Sequence, residues 1–76
     1  MEATFWYFTF KINDPTTGFA KEDKAVTSSI DNLFPIALIE EWAEEEFGAT
    51  AELMVSNIVE ISLESYERLS AKMGVE

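Results

Sequence analysis

The sequence predicts an α+β fold: a two-layer sandwich in the order β-β-α-β-α, with a three-stranded mixed sheet and the main helix packed on one face. Three observations predict it. An aromatic and β-branched opening segment alternates with the two-residue period of a strand and runs into a Pro/Gly turn. A glutamate-rich middle segment repeats its apolar residues at helical spacing and stops at a glycine. A second apolar run leads into a short amphipathic segment that opens on serine. The chain has 76 residues and makes one domain, 1–76. At that size only roughly 60% of the unfolded chain's surface is buried on folding. Six Phe, two Trp and two Tyr supply a core and argue against disorder.

The first strand spans Thr4 to Ile12. Alternation places Trp6, Phe8, Phe10 and Ile12 on one side, facing the core, and Phe5, Tyr7, Thr9 and Lys11 on the other. Asn13 to Gly18 is a turn: Pro15 fixes φ, Asn13 and Asp14 bond to nearby backbone, and Gly18 accepts a positive φ. The return strand runs from Phe19 to about Ser29. Its centre, Lys21-Glu22-Asp23-Lys24, is polar on both sides, which fits an edge strand protected from aggregation.

Asp31 or Asn32 caps a helix that carries Pro35 in its first turn and ends at Phe47, with Gly48 as terminator. Ile36, Ile39, Trp42 or Ala43, and Phe47 form its apolar stripe. Ala51 to Ser62 is the third strand. Leu53, Val55, Val59 and Ile61 share one parity with Asn57, and apolar residues also occupy the other, a pattern usual for a central strand. Ser62 caps a last helix that runs to Met73 and ends at Gly74, with Leu63, Tyr66, Leu69 and Met73 on one face. Crossover handedness puts strand 3 beside strand 1 and parallel to one strand of the hairpin. A second copy of the chain would extend this sheet or cover its open face.

Composition excludes more chemistry than it suggests. The chain has no His and no Cys. A Ser–His or Cys–His nucleophile pair, a disulfide framework, a Cys/His zinc site and an iron–sulfur cluster are therefore excluded. The three glycines are isolated, so there is no phosphate-binding loop. Asn13 to Gly18 lacks the alternating oxygen ligands of a calcium loop. The expectation is a non-enzymatic protein with no cofactor and no metal. Fifteen acidic residues against five basic give a net charge of -10. That charge opposes direct binding to nucleic acid and to anionic membranes, and it favours a protein partner with a basic surface. No stretch reaches membrane-spanning length and the N-terminus lacks a basic targeting region, so a cytoplasmic location is expected.

Two groups of residues are candidate contacts. Glu40, Glu41, Glu44 and Glu45, continued by Glu46, lie opposite the apolar stripe. Carboxylates one helical turn apart stand about 6 Å from each other, close to the phosphate spacing of a single strand. They either engage a basic groove or form a solvated face, and Glu52, Glu60, Glu64 and Glu67 would extend the charge. Three of the four residues before Phe47 are glutamate, at the helix end where the macrodipole favours cations. The second group is Phe5 and Tyr7. They form a protein interface, stack bases, or pack beneath the last helix against Tyr66 and Leu69. Trp6 and Trp42 belong to the core stripes, and Leu38 with Trp42 would supply an apolar anchor beside the acidic face.

The opening Thr4-Phe-Trp-Tyr-Phe-Thr-Phe10, the helix end Glu44-Glu-Glu-Phe-Gly48, and Asn57-Ile-Val-Glu-Ile-Ser62 leading into Glu64-Ser-Tyr-Glu67 resemble small acidic proteins encoded by phages and prophages. Such proteins carry no assigned activity and transfer no functional residues. The resemblance implies a bacterial or host cytoplasm and a role as an inhibitor or regulator. The functional expectation is an interaction module that occupies a basic, nucleic-acid-binding site on another protein. The alternative is a small structural or regulatory homo-oligomer, in the simplest case a homodimer.

Overall fold

The computed structural model describes residues 3–73, with side chains through residue 71. Five elements follow in the order expected: β1 (Thr4–Asp14), β2 (Phe19–Ser29), α1 (Ile36–Phe47), β3 (Glu52–Ile61) and α2 (Leu63–Met73). The expected terminator Gly74 lies outside the described residues.

β1 and β2 form a long antiparallel hairpin, in register from Thr4 opposite Ser29 to Asp14 opposite Phe19. Its turn closes as its residue types require. Gly18 takes φ 79° and its N–H donates to the Asp14 carbonyl at 2.7 Å. The Asp14 side chain accepts from the Thr16 N–H at 3.0 Å.

The sheet order is β2-β1-β3, and both pairings are antiparallel. The sheet is therefore not mixed. The reason lies in the crossover. α1 carries the chain back along the sheet, so β3 runs in the direction of β2. However, β1 lies between those two strands, and each hydrogen-bonded neighbour is antiparallel. β3 sits beside β1 as expected, but it is an edge strand, and the central strand is β1.

A second correction concerns the faces of β3. The register slips between Tyr7 and Thr9, which pair with Val59 and Ser56. Phe8 therefore faces two residues, Asn57 and Ile58, and this is a β-bulge. Asn57 adopts φ 54°, the left-handed conformation that Asn tolerates better than most residues. The extra residue reverses side-chain parity. Leu53 and Val55 pair with Ile12 and Phe10 on one face, while Val59 and Ile61 pair with Tyr7 and Phe5 on the other. Four residues expected on one face are thus divided between two.

The core lies between α1 and the Phe8 face. Phe8, Ile12 and Ile39 are fully buried, with Phe10, Ala25 and Ala43 beside them. Burying each large side chain contributes about 1.5–3 kcal/mol. Phe10 meets the Trp42 ring edge-on at 5.3 Å, and Trp42 meets Phe47 in the same way at 5.7 Å. Trp6 and Trp42 are half-buried in these stripes, as expected. α2 lies across the opposite face, against β2 and β1, and helps bury Val26. Ser62 caps α2 as expected, its hydroxyl accepting from the Ser65 N–H at 3.1 Å.

The start of α1 differs from expectation. Neither Asp31 nor Asn32 caps it. The helix begins at Ile36, and Pro35 at the cap position offers no side-chain acceptor. A residue before proline is pushed out of the helical region, so Phe34 cannot join the helix. Residues 31–33 instead form a bend, in which the Asp31 carboxylate accepts from the Leu33 N–H at 3.0 Å. The other end is as expected: the Gly48 N–H closes onto the Glu44 carbonyl at 2.9 Å.

Candidate interaction surface

Among the described residues, no buried side-chain nitrogen or oxygen lacks a hydrogen-bond partner. No buried polar group is therefore left aimed at a ligand, and candidate contacts are on the surface.

The first is the outer side of α1. Burial of Ile39 and Ala43 fixes the rotation of the helix on the sheet. That rotation turns Glu40, Glu41, Glu44 and Glu45 to solvent, and all four are exposed, as is Glu46. Glu41 and Glu45 stand one turn apart on the outer crest. Glu40 and Glu44 run along the flank and line a shallow groove with Ala43, Ala51 and Leu53. The ion pairs found among the described residues lie elsewhere: Lys11–Glu22 at 3.1 Å, Lys21–Asp23 at 3.5 Å and Glu64–Arg68 at 3.3 Å. Lys21 also stands over the ring of Phe47, 5.7 Å from its centre. No cation among the described residues pairs with the α1 glutamates.

The aromatic pair Phe5 and Tyr7 is only partly available. The Phe5 ring lies 4.8 Å from that of Tyr66 on α2, and both Phe5 and Tyr7 are half-buried. Beyond α2 the same face becomes polar. The Asn57 side-chain amide donates to the Thr9 hydroxyl at 3.0 Å, and that hydroxyl donates to the Ser56 carbonyl at 3.1 Å. Lys11, Glu22, Lys24, Ser56 and Asn57 help line a groove there of about 600 Å³. Its charges have both signs and balance locally.

The β3 edge is the third candidate. Met54, Ile58, Val59 and Leu63 are exposed, Met54 at 68% and Val59 at 52%. Glu52 and Glu60 are the only charges on the strand, whereas the other edge, β2, carries four in succession.

The fourth is a hollow of about 530 Å³ where β2 leads into α1. Sequence reasoning missed it by placing residues 31–35 at a helix start. Ile30, Leu33 and Ile36 recur every three residues, a spacing that itself reads as helical, so the sequence alone does not mark the hollow.

No helix among the described residues is long and apolar enough to cross a membrane. Comparison with protein-family models, with curated proteins and with solved structures gives no significant match.

Proposed function

We propose that this protein is a non-enzymatic interaction module that binds a basic surface on another protein through the outer face of α1. Glu40, Glu41, Glu44 and Glu45 make the contact. The sharper form of the reading is an inhibitor encoded by a phage or other mobile element, acting in the cytoplasm by occupying a nucleic-acid-binding site. One observation supports it above the others. The glutamates are exposed and without a cation partner among the described residues, and Glu44 and Glu45, with Glu46, occupy the last turn of α1, where the macrodipole works against them. Each unfavourable placement costs about 0.3–1 kcal/mol at an exposed site. A binding role accounts for retaining a local arrangement that costs stability.

The triple variant Glu41→Gln, Glu44→Gln, Glu45→Gln tests this reading. It is expected to lose binding to a basic partner while its thermal midpoint stays level or rises. Unchanged binding would remove the acidic face from the account.

A second reading, a self-associating module, is favoured by the apolar β3 edge. A strand that exposes Met54, Ile58 and Val59 is open to pairing with a second copy.

A further inference from the structure

We propose that the hollow at the start of α1 is a socket for an apolar side chain of a basic amphipathic helix, whose cations then lie along the α1 glutamates. The proposal rests on the acidic-face reading above and adds the chemistry of the occupant.

The hollow is preformed. Phe34 pins the connecting segment to the core, its ring 5.3 Å from Phe8 and 5.9 Å from Trp6. With Phe34 turned inward, Ile30 and Leu33 turn outward and are 75% and 71% exposed. Ile36 and Ala37, on the first turn of α1, complete the wall. Two polar side chains at the rim, Ser29 and Asp31, are already engaged. Ser29 accepts from the Trp6 indole at 3.1 Å and donates to the Asp31 carbonyl at 2.8 Å, and the Asp31 carboxylate holds the Leu33 N–H. Beside Ser28, what the hollow offers a ligand is apolar surface.

Charge selects the occupant. From Ile36 and Ala37 the helix continues directly into Glu40 and Glu41 and then Glu44 and Glu45. These pairs stand about 6 Å and about 12 Å beyond the hollow along the axis. A matching helix carries one large apolar residue with Lys or Arg one and two turns further along the same face. A second copy of this chain is a poor occupant. It would bring another acidic helix against this one, with a net charge of -10 on each partner.

Two synthetic 18-residue lysine peptides of equal charge and helical spacing provide the probe, one with leucine along its apolar face and one with alanine. Their dissociation constants are measured by fluorescence anisotropy at low salt. On the wild type, the leucine peptide is expected to bind about tenfold more tightly, the least that burying one leucine supplies. The double variant Ile30→Ser, Leu33→Ser removes that tenfold and leaves the alanine peptide unchanged. Both positions are exposed, so its thermal midpoint stays close to wild type, and Leu33→Lys alone gives the same loss. Equal, salt-sensitive binding of both peptides to the wild type would overturn the socket and keep the acidic face. Binding of neither would overturn both. A wild-type dimer that Ile30→Ser, Leu33→Ser converts to a monomer would assign the hollow to a second copy and overturn the proposal.

Discussion

At the scale of single residues, Asn57 does the most to set the surface. Its left-handed backbone forms the bulge, and its amide ties the bulge to Thr9. A β-branched side chain fits that conformation poorly. Asn57→Val is expected to cost about 1–2 kcal/mol on backbone grounds, whereas Asn57→Gly stays within about 1 kcal/mol of wild type. Chemical denaturation of the two variants checks the ordering, and equal losses would contradict it. The same residue marks where the sequence was hardest to read. Strict alternation assumes an unbroken period of two, and one extra residue inverts every later assignment. The polar pair Ser56-Asn57 between two apolar runs was the available signal. In β1 no residue is inserted, so Phe8, Phe10 and Ile12 were legible as core from their spacing alone.

At the scale of elements, the two ends of α1 show why some boundaries read easily. Its C-terminus is set by local chemistry, since Gly48 adopts φ 105°. Its N-terminus is set by competition between a possible Asp31 cap and the constraint that Pro35 places on Phe34, and the proline prevails. The link that follows α1 is held to the hairpin turn. The Thr50 hydroxyl lies 3.0 Å from both Asp14 carboxylate oxygens. Burial acts to raise the Asp14 pKa, but hydrogen bonds from Thr50, Thr16 and Thr17 outweigh it and hold the carboxyl below its ordinary value of 3.8. A lowered folded pKa contributes stability that is complete above the unfolded value and is lost as pH falls through the folded one. Thr50→Val is therefore expected to lower the thermal midpoint at neutral pH, and its difference from wild type shrinks once the medium is acidic enough to protonate Asp14. A difference independent of pH would show that the contact acts through packing alone.

At the scale of the whole molecule, the sheet separates two kinds of surface. The face opposite α1 is partly covered by α2 and then becomes polar, with Lys11 paired to Glu22. The outer side of α1 is acidic and pairs with no cation among the described residues, and an apolar hollow lies at its start. The acidic face was legible because helical spacing and burial of the opposite stripe decide which residues meet water. The hollow was not, because it depends on where Phe34 packs. Binding through the acidic face is decided by capture of partners from bacterial lysate on tagged protein at low and high salt, in parallel with the Glu41→Gln, Glu44→Gln, Glu45→Gln variant. The expected catch is one stoichiometric nucleic-acid-binding protein that is released by salt and absent from the variant. Recovery of the bait alone, at a mass of two or more copies, would contradict it and make the glutamates a device for solubility.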